Sequence, residues 1–565
     1  MSAFQQKSPI FTTISAGHVM PYETVEKTER WISDGLKHEL ETWDYSKPGL
    51  LGPVLINAST GSGKSTFIMT DLAQRVKSFG KYVLLLSNRS VLELQQKYFL
   101  CQQPGGLTWS GATLPGLNMI DNVFVFTYQS VLGFLEQIQQ GFSYPIGAVV
   151  LDEAHFFCSD ATFNADTERI LNTIISCFWN CQRIYMSATP EDVRWLIAYE
   201  EQRYQTALNN SLDTVHMLTR RRNPVSAIKE YLFPANYSNI KAKFWCEWDD
   251  ILHTIKADDS DDKWLMFVRD TETGRNLKSE LGNAAAFMDA ASKEKNPHKV
   301  SDLARREYFK TKVLITTSVL DNGVNFKDSH LRHIVIDSVD PVQMKQMLGR
   351  KRVQAEETVQ LHILSKTQKE IESIRRILYE QYQFVEELYL DPYYAVSRRW
   401  ESLSEAQRSL VKPGPNGFHA SGYAVFQLDR MIARLDALND RMVRCGDDAC
   451  VQVVCEWFGP TLTGEVTAGE NRFDRAKKAV QAVFEKYAAQ SPLDEETVVL
   501  LEQELKESVK ALGSEGPKLR KGDSRTNANI NETARFFELP LSCKKENKQW
   551  ILQNSSTAQD NISTQ

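Results

Sequence analysis

The sequence predicts an α/β protein with two successive parallel-sheet domains and a mostly helical C-terminal region. Apolar runs without alternation, at residues 81–86 and 146–151, are typical of strands that are buried on both faces of a parallel sheet. A loop that contains two glycines follows another run, at 53–56, and leads directly into a helical stretch. Runs of the same kind recur beyond residue 260, whereas residues after about 380 show mainly helical periodicity.

Length and composition limit the classes of protein to which the chain can belong. It has 565 residues, of which 42% are hydrophobic and 24% charged, and this length favours about three or four domains. No run of about 18 apolar residues occurs, and the N-terminus lacks the apolar core of a signal peptide, so we expect a cytoplasmic protein without a membrane partner. The nine cysteines are odd in number and scattered, which predicts reduced thiols. Because the net charge is −6, a nucleic-acid partner has to be met by local basic patches.

Residues 58–66 have the pattern of a phosphate-binding loop. Gly61 and Gly63 let the backbone turn so that successive N–H groups point at an anion, and the following helix adds the positive end of its dipole. Lys64 is placed to reach the outer phosphates of a nucleotide, and Ser65 to hold a magnesium ion. The usual pattern opens with glycine, whereas this loop opens with alanine. The predicted phosphate contacts come from Ala58, Ser59, Thr60, Gly61, Ser62, Gly63, Lys64, Ser65 and Thr66.

Two acidic residues, Asp152 and Glu153, follow the apolar run at 146–151. Burying a carboxylate is costly unless it is paired or holds a metal. Holding the magnesium ion that bridges nucleotide phosphates would account for Asp152, and Glu153 is then placed to activate the attacking water as a general base. The alternative is a strand that ends in a solvated acidic turn. We favour the catalytic interpretation because a phosphate-binding loop precedes it in the same chain.

A further apolar run, at 182–186, ends in Ser187 and Thr189, whose hydroxyls could hydrogen-bond to the acidic strand end. The phosphate loop, the Asp-Glu-Ala-His stretch at 152–155 and the Ser-Ala-Thr stretch at 187–189, in this order, resemble the first RecA-like domain of the superfamily 2 helicases, the DEAD/DEAH-box kind. The resemblance implies two tandem RecA-like domains of the P-loop NTPase type, with ATP and Mg²⁺ as cofactors. It is closest to the helicases carried by bacterial phages and mobile elements.

A second RecA-like domain is required by the resemblance, and matching stretches follow an acidic, linker-like segment at 257–262. Residues 263–270 resemble the family's fourth motif, and residues 312–325 resemble the fifth, in which Asn325 stands where aspartate is common. Residues 343–352 resemble the sixth motif, Gln-x-x-Gly-Arg-x-x-Arg, with the second arginine one place early. This form of the motif is similar to the sixth motif of the cytosolic viral-RNA sensor helicases.

The resemblance also implies roles for individual residues. Arg350 and Arg352 are the candidate arginine fingers, which complete the ATP site from the second domain together with Gln346. Gly323 and Asn325 join the nucleotide-binding set. A basic solvated face is the alternative for the arginine-bearing stretch. The residues assigned to coupling are His155, Ser187 and Thr189, and those assigned to the nucleic-acid backbone are Arg89, Thr127, Arg269 and Thr317.

The resemblance covers about residues 45–375, and segment boundaries follow from it and from composition. Adenine recognition is expected in the first segment, without an assigned residue. For the short basic segment near the C-terminus, a helix packed on the second domain is the alternative to nucleic-acid binding. The predicted segments are a helical entry at 1–45, a first, ATP-binding RecA-like domain at 46–235, a second at 236–380, a helical accessory region at 381–512, a small candidate nucleic-acid-binding appendage at 513–553 and a disordered tail at 554–565.

Motifs and resemblance together predict an ATP-dependent helicase that couples hydrolysis to unwinding or translocation on nucleic acid, with DNA favoured over RNA. One alternative is a nucleic-acid-stimulated ATPase, translocase or sensor that does not separate strands, including one with a phage-defence role. Another is a catalytically inactive scaffold, and the intact Lys64, Asp152, Glu153 and arginine pair argue against it. No feature of the sequence indicates an oligomeric state.

Overall fold

The computed structural model describes residues 19–47, 49, 51–88, 96–97, 119–139, 145–164, 166–210, 225–233, 235–289, 303, 306–317, 324–353, 356–397, 400–404, 407–408, 410–414, 417–419, 421–446, 448–459, 461–462, 472–510, 516–519, 526–546 and 549–554. Among these residues no helix combines the length and the apolar composition needed to cross a membrane. The chain divides into two compact units. The first comprises Met1–Lys243 and Lys256–Val466, and the second comprises Phe244–Ile255 and Thr467–Gln565.

Eight of the described strands form the first sheet: β1 (Tyr22–Glu26), β2 (Val54–Ala58), β3 (Tyr82–Ser87), β4 (Met119–Ile120), β5 (Val123–Thr127), β6 (Ile146–Leu151), β7 (Gln182–Ser187) and β8 (Ile228–Phe233). Their spatial order is β1-β8-β2-β7-β6-β3-β5-β4. β4 pairs antiparallel with β5, and the other neighbours pair in parallel. Strands β5, β6 and β7 are buried along their whole length, which explains their non-alternating apolar sequences.

The first strand corrects the prediction of a helical entry at 1–45. Tyr22–Glu26 pairs in parallel with β8, with Tyr22 opposite Ile228, at the edge of the sheet. Tyrosine, threonine and valine favour strands, and the Thr24 hydroxyl donates to Glu230 at 2.8 Å. Four of its five side chains are exposed, so the segment has the polar composition that suggested a helix surface. Short helices do follow it: α1 (Ile32–Gly35) and α2 (Lys37–Thr42).

Six further described strands form the second sheet: β9 (Ile240–Trp245), β10 (Lys263–Phe267), β11 (Ala285–Met288), β12 (Val313–Thr316), β13 (Leu331–Ile336) and β14 (Val359–Leu364). Their order is β11-β12-β10-β13-β14-β9, and β10 to β14 pair in parallel. Two tandem parallel sheets confirm the predicted fold class.

The remaining described helices pack on these sheets or continue beyond them. The third helix, α3, begins at Lys64–Thr66, continues as a π-helical turn over Phe67–Leu72 and ends with Ala73–Lys77. The others are α4 (Val131–Gln139), α5 (Phe156–Ser159), α6 (Thr167–Cys177), α7 (Val193–Asn210), α8 (Trp248–Ala257), α9 (Thr271–Leu281), α10 (Pro341–Leu348), α11 (Gln368–Leu390), α12 (Pro392–Ser397), α13 (Gly422–Cys445), α14 (Asp448–Phe458), α15 (Arg472–Ala488), α16 (Glu495–Val509) and α17 (Thr526–Phe536).

After the second sheet the first unit continues as helices and one small hairpin. Helix α11 begins with a capping box, in which the Thr367 hydroxyl accepts from the Glu370 N–H and the Glu370 carboxylate accepts from the Thr367 N–H. α11 packs lengthwise against α13. A short antiparallel hairpin, β15 (Lys412–Gly414) and β16 (Gly417–His419), lies between them in the chain. The predominantly helical character predicted for this region is confirmed.

In the second unit, α15, α16 and α17 share one hydrophobic core with the hairpin β17 (Leu541–Glu546) and β18 (Gln549–Asn554). Leu493, just before α16, pairs antiparallel with Trp550 of the hairpin. The Asn531 amide donates to the Cys543 carbonyl at 3.0 Å and accepts from its N–H at 2.7 Å, which fixes α17 to β17. The predicted boundary between residues 512 and 513 falls inside this core. The predicted tail beyond residue 554 lies outside the described residues.

Candidate nucleotide-binding site

The predicted phosphate-binding loop connects β2 to α3, and its backbone turns at two glycines. Gly61 and Gly63 both have φ of +85°, a left-handed conformation that a side chain would strain. The Ser62 hydroxyl donates to the Ser59 carbonyl at 2.8 Å and braces the turn. The Lys64 ammonium is buried and donates to the carbonyls of Ala58 at 2.9 Å and Ser59 at 3.1 Å. Burial lowers the pKa of Lys64, although the nearby acidic pair opposes that shift.

The two acidic residues lie at the end of β6, two strands away from β2 in the sheet. Asp152 accepts from the Glu153 N–H at 3.0 Å and from the Gln96 amide at 3.1 Å. The Tyr128 hydroxyl donates to the Asp152 carbonyl at 2.9 Å. Burial, with the negative charge of Glu153 beside it, raises the pKa of Asp152 to about 7. A divalent cation on this carboxylate would favour its ionised form.

Glu153 has a left-handed backbone, with φ of +53°, a conformation that costs energy in a residue other than glycine and that clusters at functional sites. Burial raises the pKa of its carboxyl, but the positive charges of Lys64, His155 and the two arginines outweigh burial, and the pKa lies below its usual value. The Glu153 carboxyl is therefore ionised at neutral pH, which is the form that a general base requires.

A row of polar contacts leads from Glu153 to the second sheet domain. His155 Nδ1 lies 3.4 Å from Glu153 Oε2 and 3.3 Å from Ser187 Oγ. Ser187 Oγ also accepts from the Thr189 N–H at 3.0 Å. The Gln346 amide of α10 donates to the Thr189 hydroxyl at 3.4 Å. The three residues predicted for coupling therefore lie in one chain of contacts between the acidic strand end and the other domain.

The segment after α10 lies directly on the phosphate loop. Phe326 pairs with this segment, because its N–H donates to the Arg350 carbonyl at 2.8 Å and its carbonyl accepts from the Arg352 N–H at 2.9 Å. A Cβ added to Gly349 would overlap the side chain of Thr60 in the loop. The resemblance predicted that the sixth motif faces the nucleotide, and in the structure this motif contacts the loop.

The residues at this junction fit a nucleoside triphosphate. Arg352 Nη1 is buried without a hydrogen-bond partner among the described residues, 3.7 Å from the position that a Cβ on Gly61 would take. Burial and a neighbouring arginine lower the pKa of Arg352 to about 10, so a phosphate oxygen beside it would meet both the unsatisfied donor and the charge. Asn325 Oδ1 is also buried and without a partner among the described residues. Ser65 and Asp152 are oxygen donors of the kind that Mg²⁺ prefers.

The predicted nucleic-acid contacts are only partly described. Thr127 is the last residue of β5, and its hydroxyl and its N–H each donate to the Ser130 hydroxyl at 2.9 Å. Arg269 is exposed just beyond β10, and Thr317 is buried just beyond β12. Because β10 and β12 are neighbours that end together at Phe267 and Thr316, these two residues lie at one edge of the second sheet. Arg89 and Gly323 lie outside the described residues.

Two residues at the site were missed by the sequence prediction. Gln96 reaches Asp152 from a helical stretch that carried no motif. Trp31 lies beside the loop, because the Ile32 N–H donates to the Ser62 carbonyl at 3.1 Å and a Cβ on Gly63 would lie 3.4 Å from the indole. The indole is 43% exposed, and the Arg30 guanidinium lies 4.8 Å from its ring. Trp31 could have been singled out from the sequence, because it is an aromatic residue in the segment that was expected to bind adenine.

Comparisons with known proteins place part of the chain in a described family. Residues 36–192 match the family model of the type III restriction enzyme, res subunit. No curated protein matches the chain.

Several solved structures share an overall likeness at low identity. Dbp5 of S. cerevisiae bound to RNA and ADP BeF3 is 16% identical, with a TM-score of 0.39, covering 58% of this chain and 83% of that one. Mss116p bound to ssRNA and AMP-PNP is 14% identical, with a TM-score of 0.42, covering 79% and 100%. The Mycobacterium smegmatis helicase Lhr bound to ssDNA and AMP-PNP is 16% identical, with a TM-score of 0.40, covering 58% and 46%.

The match to the family model and the geometry of the site concern the same part of the chain. The matched stretch contains the phosphate loop, the buried acidic pair and the Ser187 strand end on neighbouring strands of one sheet. A second parallel sheet brings an arginine-bearing segment onto the same loop. Residues 36–192, which include Lys64, Asp152 and Glu153, are thus similar to the res subunit of type III restriction enzymes.

Proposed function

We propose that this chain hydrolyses ATP with Mg²⁺ and uses the reaction to translocate along DNA or to unwind it. The observation that carries the proposal is the contact between Gly349 of the second sheet domain and Thr60 of the phosphate loop. A nucleotide on the loop would touch both domains, so binding and hydrolysis would change how the domains meet. Such a change is what a motor needs in order to act on a polymer.

In this proposal each side chain at the junction has one role. Lys64 would exchange the carbonyls that it now contacts for the outer phosphates, and Ser65 and Asp152 would hold Mg²⁺, which would neutralise phosphate charge. Glu153 accepts the proton of the attacking water. Arg352, with its unsatisfied Nη1, stabilises the charge on the transferred phosphoryl group, a contribution of about 10³–10⁵ in rate for arginine fingers.

Arg350 has a supporting role in the proposal. Its Nε donates to the Gln346 carbonyl at 3.0 Å, one turn earlier in α10. This bond ties the arginine to the helix that also contacts Thr189. A change at the polymer that moves α10 would therefore move both arginines together.

The polymer would be held by backbone contacts at the strand ends of both sheets. Exposed Arg269, beside Thr317, supports a phosphate contact on the second sheet. We favour DNA because the family model that matches residues 36–192 is named for a restriction enzyme subunit. Binding of this kind is insensitive to base sequence and weakens with salt.

The proposal is tested by ATP hydrolysis with no polymer, with single-stranded DNA, with duplex DNA and with RNA. Wild type is compared with Glu153→Gln and with Glu26→Gln, which removes an exposed carboxylate of β1. We expect stimulation by DNA in wild type and in Glu26→Gln, and a loss of about 10²–10⁴-fold in Glu153→Gln, the usual contribution of a general base.

Each other outcome has a definite meaning. Stimulation by RNA alone would exclude DNA as the partner. Hydrolysis that ignores every polymer would exclude the motor and leave an ATPase under another control. Stimulation without displacement of a labelled strand would leave translocation or sensing, and no hydrolysis at all would leave a scaffold.

A further inference from the structure

Helix α13, from the region after the second sheet, begins on the first sheet domain. The Gly422 N–H donates to Glu168 of α6 at 2.8 Å. The Tyr423 hydroxyl, which is buried, donates to Glu200 of α7 at 2.8 Å. One turn further on, Phe426 stacks on Trp195 of α7 with ring centroids 5.3 Å apart. The N-terminal half of α13 is thus fixed to the first domain by an apolar contact and two hydrogen bonds.

The same helix is fixed to α11, which leaves the second sheet a few residues after β14. Arg375 of α11 donates from Nε to Asp436 of α13 at 2.7 Å. The Tyr379 hydroxyl, one turn further along α11, donates to the other oxygen of Asp436 at 2.9 Å. Because α11 continues from the second domain and α13 begins on the first, the pair spans both domains.

Arg434 of α13 lies where the two domains meet, between two carboxylates. Its Nη2 donates to Asp192 of the first domain, and its Nη1 lies 3.8 Å from Asp340 of the second. The side chains of Asp192 and Asp340 are 7% and 13% exposed, so neither carboxylate is well solvated. Leaving either one unpaired would be costly.

Each of the two carboxylates belongs to a segment that takes part in the polar row between the domains. Asp192 comes three residues after Thr189, the hydroxyl that Gln346 contacts. Asp340 is the N-cap of α10, and its Oδ1 accepts from the Val342 N–H at 2.8 Å. Helix α10 ends at the segment that contacts the phosphate loop. A cation between these carboxylates therefore joins the two segments, the one around Thr189 and α10, that meet where the polar row crosses between the domains.

We propose that Arg434 is a positioning residue that joins the two sheet domains through Asp192 and Asp340. It thereby holds α10, and the segment after α10 that carries Arg350 and Arg352, against the phosphate loop. The planar guanidinium donates to Asp192 through Nη2 while Nη1 lies at ion-pair distance from Asp340, so one rigid group is near both carboxylates, which a lysine ammonium is not in the same geometry. The consequence for hydrolysis rests on the proposed function, whereas the joining of the domains does not.

A second ion pair between the two sheet domains is weaker and does not replace the contacts of Arg434. Lys345 lies 2.8 Å from Glu191, but the Glu191 side chain is 51% exposed. Exposed pairs of this kind contribute little because water and salt screen them. Arg434, at 23% exposed between two buried partners, has the geometry for a larger effect.

The test is amide hydrogen exchange on the full-length chain, compared between wild type, Arg434→Ala and Arg434→Lys. Arg441→Ala serves as the matched control, because Arg441 is on the same helix and pairs with exposed Glu456 at 2.8 Å. We expect exchange in residues 342–352 to become about tenfold faster in Arg434→Ala, the equivalent of 1.4 kcal/mol, and to be intermediate in Arg434→Lys. Exchange in α9 of the second domain, and all exchange in Arg441→Ala, should stay as in wild type.

Steady-state kinetics of ATP hydrolysis give the second readout. If wild type hydrolyses ATP, Arg434→Ala should lower kcat about tenfold, with KM for ATP changed less than about threefold, because the phosphate loop itself is intact. Unchanged exchange in 342–352, or an equal rise in α9, would overturn the positioning role. Absence of hydrolysis in wild type would overturn the proposed function instead, and the exchange result would still decide the role of Arg434.

Discussion

Gly349 and Thr60 are in contact although they belong to different sheet domains, and no space remains for a methyl group between them. Gly349 has φ of −64°, which any residue can adopt, so the requirement for glycine is steric. We predict that Gly349→Ala pushes the arginine-bearing segment off the loop and lowers kcat for ATP by about 10–10²-fold, since a displaced contact of 1–3 kcal/mol has that effect on rate. The fall in kcat is measured by comparing the kinetics of ATP hydrolysis by the variant and by wild type.

The control for that variant is Gly133→Ala. Gly133 lies in α4, and an added Cβ there meets no atom within 4 Å. Alanine also favours a helix, so this variant should keep wild-type kcat and stability. Full activity in Gly349→Ala would mean that the two domains are farther apart during hydrolysis.

Trp31 provides an exposed aromatic face beside Gly63, and we predict that the adenine base stacks on it. Trp31→Ala should raise KM for ATP about tenfold, because base stacking on an aromatic residue contributes about 1–3 kcal/mol, and leave kcat nearly unchanged. Trp31→Phe should restore most of the affinity. A fall in kcat without a change in KM would contradict a role in base binding.

Those parts of the site that consist of residues close together in the sequence could be predicted. The run 146–151 has no polar residue because β6 is buried on both faces, and the acids that follow it have to lie at the sheet edge. The phosphate loop is likewise a local pattern, and its two left-handed residues are glycines. Because the strands of a parallel sheet end at the same edge, the residues at their ends could be placed together without knowledge of long-range packing.

What could not be predicted depends on how distant segments pack. The contact of Gly349 with Thr60 and the position of Arg434 between two domains follow from tertiary packing and leave no periodic pattern. Gln96 is a polar residue in a helical stretch, which ordinarily indicates solvent. Strand β1 was misread because an exposed edge strand has the same polar composition as a helix surface.

Ser187 Oγ accepts from the Thr189 N–H and also hydrogen-bonds to His155 Nδ1, so it is the central contact of the polar row. We predict that Ser187→Ala lowers the stimulation of ATP hydrolysis by DNA about tenfold, because unsatisfied buried partners cost about 1–3 kcal/mol. Hydrolysis without DNA should fall less. Ser176→Ala, on the exposed side of α6, is the control and should be stimulated as wild type. Equal losses with and without DNA in Ser187→Ala would contradict coupling.

Glu200, which accepts from Tyr423 of α13, provides a pH-dependent contribution to stability. Burial raises the pKa of Glu200 to about 7, against the opposing charge of Arg203. The folded state therefore holds a proton that the unfolded chain has released above about pH 4.3. The stability that this proton provides is fully present below that pH and is lost as pH rises through about 7.

Glu200→Gln cannot ionise and should remove this dependence. We expect the difference in Tm, variant minus wild type, to increase from pH 5 to about pH 7 and to level off above it, corresponding to about 2–3 kcal/mol. Other titrating groups act on both proteins alike, so the difference isolates this residue. Parallel Tm profiles would show that Glu200 is ionised throughout in the folded protein.

The segment from Lys518 to Lys548 carries eight basic and four acidic residues in a chain whose net charge is −6. Lys544 and Lys545 are exposed on β17, and Lys545 lies 5.1 Å from the Trp550 ring. Local basic charge of this kind is what a phosphate backbone attracts, so we predict that the hairpin contributes to polymer affinity. The double variant Lys544→Glu and Lys545→Glu should weaken DNA binding and lower the slope of log affinity against log salt by about 1–2. Lys477→Glu with Lys510→Glu changes the net charge equally outside that segment. If both double variants lose the same affinity, overall charge and not the hairpin is responsible.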